Sequence, residues 1–189
     1  MTSDADDAGT CPLNERLTAA DLDNDPGYAS GRAPSTGCTP ADLTQIGANT
    51  AGTVSNYLDF VKGISSTCNA CAVANRDAPF WAPLVLLEAD GTRGFVDYGA
   101  CAGSLEGDTC GKAMQYEQFC LETACAPCAP EAHAECIQEA SRQGGMCESF
   151  VSTRNTACPN FAATLAKCKT FQLVVQHMCA AAPDAGDGG

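Results

Sequence analysis

The sequence predicts a mainly α fold, a disulfide-stapled bundle of short helices with one inserted β-hairpin. Three observations indicate this class. The chain carries 14 cysteines, an even number that allows all of them to pair. Apolar residues recur at helical spacing through the second half of the chain. A single Asp-Gly turn separates two strand-like runs, which is the signal of a hairpin.

The composition bounds the class of protein further. A length of 189 residues fits one domain, and a hydrophobic content of 45% is enough for a folded core. Aromatic residues make up only 6%, so the core buries little area per residue and cross-links are the usual remedy. Disulfides do not persist in a reducing cytosol. We therefore expect an extracytoplasmic protein that is secreted, periplasmic or anchored at a surface.

The charge balance argues against two classes of partner. The net charge is −13, with 23 acidic against 10 basic residues, which opposes binding to nucleic acid and to anionic lipid surfaces. No run approaches the ~18 apolar residues of a membrane span, so no integral span is expected. The start, Met1-Thr2-Ser3-Asp4, has neither a basic region nor an apolar stretch, which predicts that an export signal is absent from this sequence.

The chain divides into two tails and a body. Residues 1–10 and 181–189 are acidic, small and without periodicity, which is typical of disordered tails. We expect residues 11–180 to form a single disulfide-rich domain. Its first part, residues 11–38, is rich in turn formers and is bounded by two cysteines. It is predicted to be an irregular arm that Cys11 and Cys38 fasten to the body.

The first half of the body predicts three helical pieces and a hairpin. The run Thr39–Asp42 offers an N-cap, a proline for the first helical position and an acid for the positive helix end, so a helix should run to about Ala48. A second helix is predicted over 53–62, and a short one should hold Cys68 and Cys71. The hairpin comprises strands near 83–88 and 94–98, joined by the turn Ala89-Asp90-Gly91-Thr92.

The second half predicts helices throughout, at about 109–123, 130–142, 146–156 and 160–180. Five cysteines in this half lie ten or eleven residues apart, close to three helical turns: Cys136, Cys147, Cys158, Cys168 and Cys179. This spacing indicates short antiparallel helices laced by bridges. All fourteen cysteines are expected to be structural, the remaining nine being Cys11, Cys38, Cys68, Cys71, Cys101, Cys110, Cys120, Cys125 and Cys128.

Several motifs suggest cysteine chemistry, and in each a structural disulfide is the preferred interpretation. Redox activity at Cys68-x-x-Cys71 or Cys125-x-x-Cys128 would need a preceding strand in an alternating β/α pattern, which the sequence does not offer. Zinc binding by the same four residues is disfavoured by their wide separation, and haem attachment by the missing histidine. The run Gly99–Gly103 resembles a nucleophile elbow centred on Cys101. We prefer a bridged cysteine in a glycine-flanked turn.

Two further groups are candidates for binding. Asp21, Asp23 and Asp25 resemble the oxygen-rich loops of EF-hand, dockerin and thrombospondin type 3 calcium sites. Pro26 replaces the glycine of that turn and Arg32 the closing acid, so a plain acidic turn is preferred. The pair Phe80-Trp81, framed by prolines, could contact a partner or fill the seam between hairpin and helices, and we favour the seam.

Several segments taken together resemble a family, and they share cysteine or aromatic motifs: Cys68-x-x-Cys71, Trp81-Ala-Pro-Leu-Val, Asp97-Tyr-Gly-Ala-Cys101 and the spaced helical cysteines after Cys110. In style and spacing they resemble the cysteine-rich secreted proteins and predicted lipoproteins of myxobacteria. The resemblance spans roughly residues 60–180. It implies export and a lipidated cysteine at the natural N-terminus. It implies no activity and no functional residue.

Three functions remain open. The first is a non-enzymatic exported or surface protein that binds a partner, such as another protein. The second is a carrier that holds a small apolar ligand or lipid in a cavity between helices, since pockets between bundled helices are common. The third is an enzyme whose site is not recognised, with His133 beside Glu135 as one candidate for acid–base chemistry. No catalytic residue, metal or cofactor is expected.

Overall fold

The computed structural model describes residues 17–24, 27–49 and 56–180. Helices dominate, which confirms the predicted mainly α class with its disulfides and hairpin. A 3₁₀ helix at Tyr57–Val61 and twelve regular elements follow in chain order: α1 (Ala19–Asn24), α2 (Pro40–Asn49), α3 (Ser66–Ala72), β1 (Val73–Asn75), β2 (Leu84–Leu86), β3 (Gly94–Val96), α4 (Tyr98–Glu106), α5 (Asp108–Cys125), α6 (Pro130–Ser141), α7 (Glu148–Ala157), α8 (Phe161–Cys168) and α9 (Phe171–Cys179). The predicted tails, 1–10 and 181–189, lie outside the described residues.

One carboxylate organises the starts of α2 and α3. As predicted, α2 begins after Thr39, whose Oγ1 accepts the backbone N–H of Asp42 at 3.2 Å. Oδ1 of Asp42 accepts the backbone N–H of Ser65, the N-cap of α3, at 2.7 Å, and Oδ2 accepts that of Thr39 at 2.9 Å. These hydrogen bonds, first the one from Ser65, lower the pKa of Asp42 to about 2. One acid thereby fixes two helices relative to each other.

The small sheet separates two parts of the core. β2 and β3 form the predicted antiparallel hairpin, and β1, which was not predicted, pairs with β2 in parallel. All three residues of β2 are buried. Because side chains alternate along a strand, Leu84 and Leu86 join one hydrophobic cluster while Val85 joins the other.

The first cluster lies between α2, α3 and α9, and its largest fully buried members are Ile46, Leu84, Val174, Val175 and Met178. The second packs the hairpin against α5 and α7. Its aromatic members are Trp81, Phe95, Tyr116, Phe119 and Phe150. Phe95 meets both Trp81 and Phe119 edge to face, with ring centroids 5.4 and 4.8 Å apart. Five of the twelve aromatic residues of the chain thus belong to this cluster, whereas Tyr57, Phe60 and Phe171 form ring contacts at the first cluster.

The turn predicted at Gly99–Gly103 is wrong, because this segment is helix α4. Asp97 caps the helix, its Oδ1 accepting the backbone N–H of Ala100 at 2.7 Å. A Cβ placed on Gly99 would lie 2.7 Å from the carbonyl oxygen of Gly111 on α5, and one on Gly111 would lie 2.7 Å from that of Gly99. The glycines therefore allow α4 and α5 to touch backbone to backbone. Helix propensity alone predicts no helix in this segment, since glycine disfavours helices.

Three further elements differ from the prediction. The arm expected to be irregular contains the short helix α1. The helix predicted over 53–62 is the 3₁₀ turn Tyr57–Val61 within its described part, and residues 50–55 lie outside that part. The last predicted helix, at about 160–180, is divided into α8 and α9, because the chain turns at Thr170. The hydroxyl of Thr170 accepts the backbone N–H of Leu173 at 3.3 Å and starts α9 afresh.

Six disulfides join cysteines of the described part, with Cα atoms 4.3–5.9 Å apart. Five of them are nested, so that each encloses the one before: Cys125–Cys136, Cys120–Cys147, Cys110–Cys158, Cys101–Cys168 and Cys71–Cys179. We call these five bridges the disulfide ladder. The sixth, Cys38–Cys68, fastens the arm to α3. Cys128 is disulfide-bonded as well, and Cys11 lies outside the described residues.

Nesting changes what each bridge contributes to stability. The Cys101–Cys168 bridge has a sequence separation of 67. With Cys110–Cys158 intact, however, it closes a loop of only about twenty residues, and the chain-entropy relation assigns such a loop about 3 kcal/mol. The contribution of each outer bridge to stability therefore depends on whether the bridge that it encloses is intact.

Replacing Cys101 and Cys168 together by alanine should lower the free energy of unfolding by about 3 kcal/mol, because one loop of the ladder is released in the unfolded chain. Urea unfolding of the oxidised proteins, followed by circular dichroism, measures this difference. A loss below about 1 kcal/mol would show that the rung contributes no such constraint.

Candidate functional site

An open groove of about 700 Å³ lies between α1, α5 and α7. Among the described residues, the three helices supply the lining, apart from two residues just before α1. The lining residues are Leu17, Thr18, Ala19 and Asp23 from the first wall, Thr109, Lys112, Ala113 and Tyr116 from α5, and Ser149, Phe150, Thr153 and Ala157 from α7. The groove is therefore a feature of helix packing, as expected for a site in a helical bundle.

The spacing of the lining residues explains why they share the groove. On α5 they fall three, four and seven residues after Thr109, which places them on one helical face. On α7, Phe150, Thr153 and Ala157 follow the same spacing. Tyr116 and Phe150 are buried and join the groove floor to the second core cluster, and Ala113 is buried as well. The floor is thus apolar, and hydroxyl groups lie along its edges.

Two rungs of the disulfide ladder frame the groove. Cys110–Cys158 joins α5 to the end of α7, next to Thr109 and Ala157, and Cys120–Cys147 joins the other end of α5 to the start of α7. Along α5 the two bridges lie ten residues apart, or about 15 Å at the rise of an α-helix. The spacing of α5 and α7 is covalently fixed at both ends of the groove.

A partly buried ion pair joins α5 to α7 between the two bridges. Nε of Arg154 donates to Oε2 of Glu117 at 2.6 Å, and its Nη2 donates to Oε1 at 2.9 Å. The two side chains are only 11% and 13% exposed, and such bidentate pairs are geometrically specific. The guanidinium also lies 3.7 Å from the ring centroid of Phe161. The wall between the helices is therefore rigid.

The third wall, α1, is held by three polar side chains. Oδ1 of Asp23 accepts hydrogen bonds from Nζ of Lys112 at 2.7 Å and from the hydroxyl of Tyr116 at 2.5 Å. The hydrogen bond from Lys112, and then the one from Tyr116, lowers the pKa of Asp23, and Asp23 raises the pKa of Lys112 in turn. Leu22, 2% exposed, anchors the opposite face of α1 in the core. We refer to Asp23, Lys112 and Tyr116 as the polar trio.

The calcium-like motif, for which a plain acidic turn is the preferred interpretation, has two described acids, Asp21 and Asp23. Both lie on α1 and have different partners. Asp21 accepts the backbone N–H and hydroxyl of Thr18 at 2.7 and 2.6 Å and caps the helix, whereas Asp23 bonds to α5. Asp25 lies outside the described residues. The two described carboxylates are used by the fold and do not converge as calcium ligands must.

The predicted contact pair divides into a core residue and a surface residue. Trp81 is 3% exposed, and its indole N–H donates to the carbonyl oxygen of Arg76 at 3.0 Å, so a partner contact at Trp81 is wrong. It fills the seam between hairpin and helices, the interpretation that we favoured. Phe80 is 54% exposed and lines a second pocket of about 410 Å³ beside Arg32 and Pro34.

The cysteine motifs are structural in the described part of the chain. Cys68 and Cys71 bond to Cys38 and Cys179, not to each other, and Cys101 is fully buried in its bridge to Cys168. Within this part, one group of three potential metal ligands is close together, the sulfurs of Cys125, Cys128 and Cys136. All three belong to disulfides and so provide no thiolate for a metal. The elbow and the zinc knuckles are therefore not formed.

One serine–histidine contact was not predicted. Oγ of Ser104 lies 2.8 Å from Nε2 of His177, which is half-buried rather than fully in solvent. The Ser104 hydroxyl has one proton and lies 2.7 Å from the carbonyl oxygen of Cys101, so when it donates there, a protonated Nε2 of His177 donates to Ser104. Burial, and then Lys167, lowers the pKa of His177. In this arrangement the imidazole does not accept the serine proton, as nucleophile activation would require.

Asp97 is a buried acid that no sequence motif marks. Its complete burial raises its pKa to about 7, against the backbone hydrogen bonds from Ala100 and Gly99 that lower it. Within the described structure, its Oδ2 and the nearby Oε1 of Gln115 have no hydrogen-bond donor. A protonated carboxyl group supplies a donor that a carboxylate lacks, so the neutral form suits this site.

Asp97→Asn should remove one pH dependence of stability. The folded-state pKa lies above the unfolded value of 3.8, so the stabilising contribution of Asp97 is complete below about pH 4 and is lost as the pH rises to about 7. Relative to Asp97→Asn, the wild type should lose roughly 2–4 kcal/mol of unfolding free energy across this range.

Urea unfolding of both proteins at the two ends of the range measures the change. Subtracting the unfolding free energy of the variant from that of the wild type removes the pH dependence that other acids cause. One such acid is Asp42, whose lowered pKa affects stability below pH 4. Parallel pH curves for the two proteins would show that Asp97 titrates in the same way in the folded and unfolded states.

Sequence reasoning did not find the groove. The spacing of Thr109, Lys112, Ala113 and Tyr116 was available as a signal, since these residues form one face of a predicted helix. The face could not be distinguished from an ordinary surface, because the wall opposite comes from α1, nearly ninety residues earlier in the chain.

Comparison of the chain with models of protein families, with curated proteins and with solved structures finds no match. Fold and bridges therefore define the class by themselves: a mainly α-helical, disulfide-rich protein. None of the helices in the described ranges is both long and apolar enough to cross a bilayer.

Proposed function

We propose that the protein is an exported, non-enzymatic binding protein that holds a small, largely apolar ligand in the groove between α1, α5 and α7. The observation that carries the proposal is the groove itself, about 700 Å³ with a floor of Ala113 and Phe150. Small-molecule sites in proteins have volumes of roughly 300–1,000 Å³ and are mostly apolar with a few polar groups. The polar trio supplies those groups.

The covalent frame supports the same function. Bridges at both ends of the groove and the Arg154–Glu117 pair between them keep α5 and α7 at a fixed spacing. A site that is formed before binding avoids the entropy of ordering its walls when the ligand arrives. Six disulfides in the described part further favour residence outside the reducing cytosol.

Filling the groove with a bulky side chain should abolish binding. Thr153→Trp places an indole among the lining residues, so the affinity for the neutral apolar dye N-phenyl-1-naphthylamine should fall about tenfold or more. Titration of the dye, followed by its fluorescence, measures the dissociation constants of wild type and variant.

Thr156→Trp is the matched control. Thr153 and Thr156 are both exposed on α7, and each hydroxyl donates to the carbonyl oxygen four residues earlier, at 2.8 and 3.1 Å. Only Thr153 lines the groove. The control should bind the dye as the wild type does. A wild type that binds no dye, or two variants that lose it equally, would refute binding in the groove.

A protein partner is the second candidate, and exposed Phe80 is the observation that favours it. Exposed aromatic side chains beside a pocket are typical anchors of protein interfaces. Phe80 does not line the groove, so Phe80→Ser should leave dye binding unchanged. If this variant instead lost dye binding while Thr153→Trp kept it, the ligand site would lie at Phe80.

A further inference from the structure

We propose that the ligand of the groove is uncharged and carries a hydroxyl or amide group that binds between Asp23 and Lys112. This inference rests on the proposed function and adds the chemical class of the ligand. It is carried by the charges of the groove lining and by the hydrogen-bonding groups that the polar trio leaves free.

The groove presents one acid and one base. Of the twelve lining residues that the structure describes, Asp23 and Lys112 are the two with charged side chains, and they form an ion pair at 2.7 Å. The nearby pair of Glu117 and Arg154 is partly buried and bidentate, so its two charges neutralise each other. The described lining of the groove therefore has no net charge to attract an ion.

The trio leaves one acceptor and one donor. Both hydrogen bonds to Asp23 end on Oδ1, and no donor from the described residues reaches its Oδ2. Lys112 has three N–H groups, and it forms one hydrogen bond with Asp23 and one with the side chain of Tyr116, which leaves the third N–H. A free acceptor and a free donor thus lie side by side. A hydroxyl or primary amide both donates and accepts, and so satisfies both.

A charged group fits this pair less well. A carboxylate that binds Lys112 is brought close to Oδ2 of Asp23, and an ammonium that binds Asp23 is brought close to Nζ of Lys112, so each gains one attraction and one repulsion. An anion is opposed further by the net charge of −13. An uncharged polar end meets neither repulsion, and its apolar body is free to cover Ala113 and Phe150.

Three probes with one apolar body test the inference: 2-naphthylmethanol, 2-naphthoate and 2-naphthylmethylammonium. Titration calorimetry at neutral pH and moderate salt gives the three dissociation constants. The wild type should bind the alcohol about tenfold or more tighter than either ion, since the bodies are alike and only the polar ends differ.

Two variants should each strengthen the binding of one charged probe relative to the alcohol. Asp23→Asn leaves Lys112 without its acid, so binding of 2-naphthoate should strengthen about fivefold or more relative to the alcohol. Lys112→Gln leaves Asp23 without its base, so binding of 2-naphthylmethylammonium should strengthen by a similar factor. Glu131→Gln and Lys167→Gln are the matched controls, because both residues are exposed and neither lines the groove. They change the net charge equally and should leave the order of the probes unchanged.

The outcomes separate the inference from the proposed function. If none of the three probes nor the dye binds to the wild type, the groove is not a ligand site and both fail. If the wild type binds one of the ions tighter than the alcohol, the ligand class is wrong while the site stands. If the probes bind but neither variant shifts their order, the ligand does not touch the trio and the inference is overturned. Circular dichroism of each variant ensures that folded proteins are compared.

Discussion

Five disulfides pair the cysteines of the last four helices, or their flanks, with earlier cysteines in reverse order, and the packing of the helices depends on this order. Each rung brings together two segments whose separation along the chain is already shortened by the rung inside it. The core gains covalent constraint where it has few large side chains. The ladder supplies stability that a larger aromatic core supplies in other proteins.

The ladder also determines where binding can occur. Two rungs hold α5 and α7 apart at a fixed spacing, and α1 closes the third side through Asp23 on Lys112 and Tyr116. Fixed walls with an apolar floor make a preformed groove, and the polar trio gives one end of it hydrogen-bonding character. Stability and proposed function thus come from the same covalent frame, because a bridge that constrains the unfolded chain also sets the width of the site.

The sequence predicts the elements that depend on a local pattern. It does not predict the contacts between segments that are distant along the chain. Caps, breaks and periodicity locate α2, α3, α5, α6 and α7, and Asp-Gly locates the hairpin. The ten- to eleven-residue rhythm indicates laced helices, but the partner of each cysteine requires the three-dimensional arrangement. Helix α4 escapes prediction because Gly99 and Gly111 serve a backbone contact between helices. The groove escapes because α1 meets α5 only in the folded chain.

The ladder is tested most directly by mapping the disulfides of the oxidised protein. Digestion without reduction at acidic pH, which suppresses thiol–disulfide exchange, followed by mass spectrometry of the linked peptides, identifies each pair. We expect Cys110–Cys158, Cys120–Cys147 and Cys125–Cys136 among the links, in the reverse order that the nested fold requires. A link between Cys125 and Cys128, or between Cys68 and Cys71, would contradict the ladder and with it the frame of the groove.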